Sequence, residues 1–284
     1  MTSEEVKDSD LIKELKGYCE YFDLPISHIV EIISDLKVIP MLRGKGFEYT
    51  VSDFIRGKLS GNWSISNPNI NAQSEVHDVD VYVIRNRDNK KIRIECKLAG
   101  KDSFNHEPDN TTFKVKCMRS RTISDNEVAT RMAKKYDVDR KMVLYHADNY
   151  REDDFDYVIA SMGNAFWTTK NKKYVFEHTD KDIVSLSNLF PKYFGKLRDQ
   201  KEFRKKAFNF LLIARSKDIT ITNKNKIICT RRKCIENGTS DKCGFIPNYP
   251  VVNLKDVSCG KGPWKVLSDL DLDDFFNRFL EKRN

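Results

Sequence analysis

Two acidic residues and one lysine that could perform hydrolytic chemistry lie on a β-hairpin predicted at residues 77–101. The hairpin is predicted because two runs of alternating apolar residues flank a polar stretch that is rich in turn formers. Side chains two residues apart on a strand point to the same face of a sheet. Glu95 and Lys97 therefore share a face of the second strand, and Asp78 and Asp80 share a face of the first.

The pairing of the two strands decides which of these side chains meet. A two-residue turn at Asp88 and Asn89 would place Asp80 opposite Lys97 and diagonal to Glu95. Neighbouring carboxylates repel each other unless a cation lies between them. Mg²⁺ suits such a place, because it binds one or two carboxylates and also phosphate oxygens. A lysine beside it can orient or deprotonate a water, or stabilise developing negative charge. The cluster therefore predicts phosphodiester hydrolysis.

The order of these residues, with Asp80 before a strand and a turn and then Glu95-Cys96-Lys97, resembles the PD-(D/E)xK nuclease superfamily. The closest likeness is to type II restriction endonucleases, and it covers residues 45–101. The resemblance implies a Mg²⁺-dependent endonuclease, in which Mn²⁺ can substitute, that cuts double-stranded DNA as a homodimer. It also implies that Asp80 and Glu95 are catalytic metal ligands and that Lys97 is the catalytic lysine.

Some features of the pattern leave alternatives open. The proline of the family motif is absent, and both Asp78 and Asp80 could be the first ligand. We favour Asp80, because in such sheets the ligand usually comes directly before the apolar run. Glu48 matches an acidic metal ligand that many of these enzymes carry on the helix before the hairpin, but a glutamate in a first helical turn is also favoured by the helix dipole. The hairpin could instead present a solvated face of mixed charge, although an otherwise apolar strand argues against this.

The composition limits the class of protein. The chain has 284 residues and a net charge of +8, from 50 basic and 42 acidic residues, which suits a polyanionic partner. No apolar run approaches the roughly 20 residues that span a bilayer, and the start of the chain lacks a signal-peptide core. The sequence thus predicts a cytoplasmic protein without membrane contact. Seven cysteines in such a protein favour thiols or metal ligands over disulfides.

The remaining periodicities predict an α/β (α+β) fold with a central mixed β-sheet flanked by helices, and the resemblance implies that this fold is like that of restriction endonucleases. We expect two parts. Residues 1–215 form a nuclease core that includes the N-terminal helices. Residues 216–284 form a cysteine-containing extension that packs on the core and contributes to DNA binding. Helices are predicted at residues 8–22, after residue 25, and at 47–59, 125–136, 185–197, 202–214 and 267–280. Further strands are predicted at residues 113–118, 141–146 and 156–161, with a polar connection at 60–74.

The first two helices allow two interpretations. A pair of helices around a short break could be a helix-turn-helix that reads DNA. Such a pair more often serves packing or dimerisation, and we favour that interpretation.

Basic side chains near the predicted cleft are candidates for DNA contacts. Arginines that follow a strand end beside a metal site suit phosphate or guanine contacts, although surface solvation explains them equally well. A glycine-containing loop is predicted at residues 40–46, before the third helix. The candidate DNA-binding residues are Arg43, Lys45, Lys101, Arg119, Arg121, Arg231 and Arg232.

Four cysteines in the last part of the chain raise the question of a structural zinc ion. Cys229, Cys234, Cys243 and Cys259 could supply four thiolates, but paired CxxC knuckles are absent. We therefore favour free thiols over zinc. A second hypothesis for the whole chain is a non-catalytic DNA-binding protein with a zinc-stapled basic tail. A third is a repair nuclease that selects DNA structure instead of sequence.

Overall fold

The computed structural model describes residues 8–68, 79–107, 110–119, 123, 126–220, 232–236 and 244–283. The helices are α1 (Asp8–Tyr21), α2 (Ser27–Ser34), α3 (Ile39–Arg56), α4 (Asn126–Tyr136), α5 (Arg140–Tyr145), α6 (Asp180–Leu189), α7 (Pro191–Phe194), α8 (Gln200–Asn209), α9 (Arg232–Glu236), α10 (Leu254–Ser258) and α11 (Leu272–Glu281). The strands are β1 (Trp63–Ser66), β2 (Val81–Arg85), β3 (Lys90–Leu98), β4 (Asn105–Glu107), β5 (Asn110–Lys114), β6 (Tyr157–Ser161), β7 (Trp167–Lys170), β8 (Lys173–Phe176), β9 (Leu211–Arg215), β10 (Val251–Asn253) and β11 (Lys265–Val266).

The central sheet has six strands in the order β1-β2-β3-β6-β9-β11. It is mixed, because β3 and β6 run parallel while the other neighbours are antiparallel. The predicted fold class, a central mixed sheet flanked by helices, is confirmed. A three-stranded sheet of β10, β5 and β4 and the hairpin β7–β8 lie outside this sheet.

One face of the central sheet packs against α3 and α11. Alternate residues of the strands point to this face, so that Ile92 and Ile94 of β3 join Tyr157 and Ile159 of β6 in one apolar cluster. The inward residues of the helices complete this cluster and are Phe47, Val51, Ile55, Leu272, Phe276 and Leu280. Burial of this apolar stripe stabilises α3, and the N-terminal half of this helix reaches the mouth of the cleft described below.

The other face of the sheet packs against α6, α7 and α8 and the smaller sheet. Val158 and Ala160 of β6 and Leu212 and Ala214 of β9 point to this side and meet Phe203 and other aromatic side chains. The strands β6 and β9 are therefore buried on both faces, which explains their continuous apolar sequences.

The stretch predicted as a C-terminal extension supplies parts of both sheets. Strand β11 pairs with β9 at the edge of the central sheet, and β10 pairs with β5 in the smaller one. Within the described part of the chain, no helix is both long enough and apolar enough to cross a membrane.

Several predicted elements differ from the structure. Residues 141–146, predicted as a strand, lie in helix α5 and just after it, because the Asp139 side chain caps that helix by accepting from the Lys141 N–H. The helix predicted at 202–214 is wrong in its second half, where four buried residues form the start of β9. A short apolar run of this kind is equally compatible with a buried helix and with a strand that is buried on both faces.

Two predicted connections are also ordered elements. Residues 40–46, predicted as a basic loop, lie inside α3, which begins at Ile39 with Pro40 in its first turn, where the missing N–H costs nothing. Part of the polar connection predicted at 60–74 forms the edge strand β1, which buries Trp63.

Candidate active site

The β2–β3 hairpin brings the predicted catalytic residues to one face of the sheet, in a register that differs from the predicted one. Val81 pairs with Ile94, and a four-residue turn, not the predicted two-residue turn, joins Arg85 to Lys90. The pairing ends at Val81, and the Asp80 N–H donates to the Ile94 carbonyl at 3.2 Å, so that Asp80 lies at the end of the hairpin near Glu95 and not opposite Lys97. The shift is by an even number of residues, and so it leaves every side chain on its predicted face.

The turn has a local cause. Asp88 accepts hydrogen bonds from Nε and a terminal nitrogen of Arg85, at 3.0 and 2.6 Å. Asn89 takes a left-handed backbone with φ of 53°, which asparagine tolerates better than most residues. These interactions close the longer turn and fix the register of the hairpin.

Glu95 and Lys97 form a buried ion pair on the same side of β3. Lys97 Nζ lies 2.5 Å from Glu95 Oε1, and Glu95 is 1% exposed. The hydroxyl of Tyr150 donates to the same Oε1 at 2.8 Å and lies 3.3 Å from Lys97 Nζ. Burial alone would lower the pKa of Lys97, but the charges of Glu95 and Asp80 and the contact with Tyr150 raise it well above its usual range. Lys97 is therefore an ammonium group at neutral pH, suited to donate hydrogen bonds and to stabilise negative charge.

Asp80 lies directly before β2, at the end of the hairpin. Its Oδ2 accepts a hydrogen bond from the Cys96 N–H at 2.7 Å. Loss of solvent raises the pKa of Asp80 well above its usual range, and the negative charges of Glu95 and Glu48 raise it further. The Lys97 ammonium and the Cys96 N–H only partly offset this effect. Ionisation of Asp80 beside Glu95 is therefore unfavourable unless a further cation binds in the site.

Glu48 comes to the same cleft from helix α3. It lies one residue after Phe47, whose burial in the core fixes this part of the helix. Lys45 Nζ lies 2.5 Å from Glu48 Oε2, and this hydrogen bond is the main reason that the pKa of Lys45 is raised. Glu48 and Lys45 therefore neutralise each other at the rim of the cleft.

The three acidic residues line a cavity of about 580 Å³, and several basic side chains line the same cavity. Its charged lining residues are Lys45, Glu48, Asp80, Glu95, Lys97, Lys101, Lys116 and Arg119. Lys101 lies over the ring of Tyr174, at 4.2 Å from its centre, on a wall built by the β7–β8 hairpin. Such a basic lining around buried carboxylates suits a phosphate-bearing ligand.

Two of the predicted DNA-binding arginines make internal contacts. Arg119 donates to Asp154 in a buried ion pair, in which Tyr136 donates to the second Asp154 oxygen at 2.6 Å. Arg43 donates to Asn164 Oδ1 at 3.0 and 2.7 Å and lies over the ring of Trp167. Arg119 lines the cavity, while Arg43 supports its wall through Asn164.

The other predicted positions lie away from the cleft or outside the described residues. Arg232 is exposed and pairs with Glu236 on α9. Cys259 is an exposed free thiol after α10. The residues whose positions are not described are Asp78, Arg121, Cys229, Arg231 and Cys243, and for Cys234 the side chain is not described. The expectation of free thiols in place of a zinc site, and the alternative role of the second aspartate, therefore remain predictions from the sequence.

The cleft offers carboxylate oxygens as possible ligands for a metal ion. Among the described residues, no group of three or more His, Cys, Asp or Glu side chains is arranged to hold a metal. Mg²⁺ requires less, because one or two carboxylates, waters and substrate phosphate oxygens complete its shell. Asp80 and Glu95 meet this requirement, and the charge of Glu95 adds to burial in raising the pKa of Asp80, an effect that a bound cation would offset. The residues therefore fit Mg²⁺.

Sequence reasoning missed two residues of the cleft. Tyr150 contacts both Glu95 and Lys97, yet it lies 55 residues from Glu95 in the chain. Lys116 lines the cavity from the segment after β5. No local pattern marks either residue, and they reach the hairpin only because two separate segments, the one after β5 and the one between α5 and β6, pack against β3.

Comparisons with models of known protein families, with curated proteins and with solved structures give no significant match to this chain.

Proposed function

We propose that this protein is a Mg²⁺-dependent endonuclease that hydrolyses phosphodiester bonds in double-stranded DNA at specific sequences, as a type II restriction enzyme does. One observation carries the proposal. Asp80, Glu95 and Lys97 share one sheet face at the end of the β2–β3 hairpin and line one basic cavity. The resemblance in the sequence rests on the same three residues and implies the same activity.

The residues have separate roles in this proposal. Asp80 and Glu95 would hold Mg²⁺, which supplies a Lewis acid for the phosphate and acidifies a bound water. Lys97 donates hydrogen bonds to the attacking water or to a phosphate oxygen, where its fixed positive charge stabilises the additional negative charge of the transition state. Tyr150 holds Glu95 in place through its 2.8 Å hydrogen bond.

The charge of the cleft supports a polyanionic substrate. Lys101 and Lys116 line the cavity together with Lys97, and neither forms an ion pair with an acidic residue in the described part of the chain. Phosphate contacts of this kind position a duplex without reading its sequence. Sequence specificity and homodimeric cleavage of both strands follow from the resemblance and belong to the proposal on that basis.

A digest of long, unmethylated phage-type DNA tests the activity. Purified protein is incubated with the DNA in Mg²⁺, in Mn²⁺ and in EDTA, and the products are separated by size. Discrete fragments that require the divalent ion support the proposal, and mapping of their ends gives the recognition site. A continuous smear would support a nuclease of low specificity, and cutting confined to branched or flapped DNA would support a repair role. Intact DNA in all conditions, together with a gel shift, would favour the non-catalytic alternative.

A further inference from the structure

The N-terminal arm, residues 8–42, exposes an unusual amount of apolar surface. Among the described residues, 18 large apolar side chains lie exposed, and 14 of them lie between Leu11 and Tyr49. None of the residues of α2 is buried. The 13 exposed members within the arm are Leu11, Ile12, Leu15, Tyr18, Tyr21, Phe22, Leu24, Ile26, Val30, Ile32, Ile33, Met41 and Leu42. A surface of this kind marks an interaction site.

The charge of the arm argues against nucleic acid as its partner. The arm contains seven acidic and three basic residues, a net charge of −4, while the whole chain carries +8. DNA and anionic lipid surfaces attract positive charge. The net charge of the arm is therefore opposite in sign to that of the basic cleft. This charge argues against a helix-turn-helix that reads DNA. A protein surface is the better partner.

The exposed area is large enough for a stable dimer. The exposed fractions of these side chains range from 36% for Leu24 to 81% for Tyr21. Aromatic side chains carry about 150–250 Å² each and large aliphatic ones less, so 13 such side chains at these exposures offer on the order of 1,000 Å² of apolar surface. A stable interface buries about 800 Å² on each partner.

The pattern of α1 is self-complementary. Leu11, Leu15 and Tyr18 of α1 and Phe22, which follows the helix directly and donates its N–H to the Tyr18 carbonyl, are spaced at intervals of four, three and four residues and so lie on one face. These intervals are the same when the helix is read in reverse. Two copies that pack antiparallel therefore place Leu11 opposite Phe22 and Leu15 opposite Tyr18, an aliphatic side chain against an aromatic one in each case.

We infer that the N-terminal arm is the interface of a homodimer, in which the α1 helices of two copies pack antiparallel around a two-fold axis between Leu15 and Tyr18. A two-fold axis requires one surface patch to match itself, and the symmetric spacing in α1 meets this condition. The inference does not depend on the nuclease activity, because it rests on the arm alone.

Sedimentation velocity over a range of concentrations tests the interface. We expect wild-type protein to sediment as a dimer, and the variant Leu15→Glu/Tyr18→Glu to associate roughly 100-fold more weakly or not at all. Val184→Glu is the matched control, because Val184 on α6 and Tyr18 are both 56% exposed, and it should leave the dimer unchanged. Circular dichroism checks that each variant remains folded. A monomeric wild type, including one whose arm binds vesicles or another protein, or a dimer that survives the double substitution, would overturn the inference.

Cysteine cross-linking tests the antiparallel arrangement. A mixture of Leu11→Cys and Phe22→Cys chains should form a disulfide-linked dimer under mild oxidation, while each variant alone should not, beyond the level of the wild type with its own thiols. In a parallel dimer each single variant would link to itself, and that result would contradict the proposed arrangement.

Discussion

Glu95 and Lys97 lie two residues apart on β3, and their side chains meet as a buried ion pair with 2.5 Å between Nζ and Oε1. The alternation of a strand puts both on one face, and the charges of Glu95 and Asp80, together with the contact with Tyr150, keep Lys97 protonated in spite of its burial. In the proposed enzyme, the carboxylate of Glu95 thus interacts with two positive charges, the Lys97 ammonium group and the metal ion. Asp80 supplies the second carboxylate that the metal needs.

The raised pKa of Asp80 predicts that its negative charge destabilises the metal-free protein. The folded chain holds a proton on Asp80 at pH values where the unfolded chain, with the ordinary pKa of 3.8, has lost it. The free energy of unfolding therefore falls as the pH rises from about 4 through the raised pKa. In EDTA at pH 8, Asp80→Asn should raise the Tm by about 2–4 °C, and the gain should vanish at pH 4. Thermal unfolding monitored by circular dichroism at several pH values measures this dependence.

Asp88 on the same hairpin provides a control with the opposite sign. The hydrogen bonds from Arg85 lower the pKa of Asp88 to about 2. Asp88→Asn should therefore lower the Tm at neutral pH, and its effect should fade as the pH falls from about 4 towards 2. A stabilising effect of Asp88→Asn, or equal effects of both substitutions at every pH, would contradict the proposed electrostatics of the site.

Binding of Mg²⁺ should stabilise the protein through the same two carboxylates. A ligand that binds only the folded state raises stability by an amount that grows with its concentration. Millimolar Mg²⁺ should raise the Tm of the wild type, and more so at pH 8 than at pH 5, where protons compete for Asp80. Asp80→Asn and Glu95→Gln should lose most of this gain, as differential scanning calorimetry can show. An equal gain in both variants would place the ion elsewhere.

Tyr150 should act as a positioning residue. Tyr150→Phe keeps the ring, which packs 5.2 Å from that of Phe155, and removes the hydroxyl with its hydrogen bond to Glu95 and its 3.3 Å contact with Lys97. One such bond contributes about 1–1.5 kcal/mol, so we expect a cleavage rate about tenfold lower with DNA affinity unchanged. Single-turnover kinetics and binding in Ca²⁺ separate the two quantities. A loss of affinity with an unchanged rate would assign Tyr150 to substrate binding.

Lys116 and Arg119 line the same cavity but should respond differently to substitution. Lys116→Ala should weaken DNA binding about equally for all sequences and reduce the slope of log affinity against log salt by about one. Lys114→Ala is the control, since Lys114 lies two residues away, is exposed and does not line the cavity.

Arg119→Ala should instead lower stability. It removes the buried ion pair of Arg119 with Asp154, which is 4% exposed, and breaking a buried ion pair costs about 3–5 kcal/mol. Urea denaturation and fluorescence anisotropy on labelled duplexes distinguish the two effects. A fully stable Arg119→Ala protein with lowered affinity would show that Arg119 contacts DNA directly.

The sequence was sufficient to predict the faces of the hairpin but not its register. The alternation along β3 puts Glu95 and Lys97 on one side whatever the turn length, so this prediction was confirmed. The turn length depends on the Arg85–Asp88 hydrogen bonds and the left-handed Asn89, which compete with a tighter turn that uses the same residues. For this reason the partner of Asp80 was predicted wrongly.

Other parts of the site depend on contacts between distant segments. Tyr150 reaches Glu95 only because the segment between α5 and β6 packs against β3, and no periodicity encodes this packing. The ion pair of Arg119 with Asp154 has the same origin. The fold class, a central mixed sheet flanked by helices, was predicted correctly. The strand β9 within that sheet was missed because its sequence is apolar on both faces.

The most direct test of the central claim is the cleavage rate of Lys97→Ala on a duplex that the wild type cuts, measured in Mg²⁺ at saturating protein. The account predicts a rate lower by at least about 100-fold, with gel-shift affinity retained and with full activity in the control Lys91→Ala, an exposed lysine of the same strand. A Lys97→Ala protein that cuts at the wild-type rate would contradict the account.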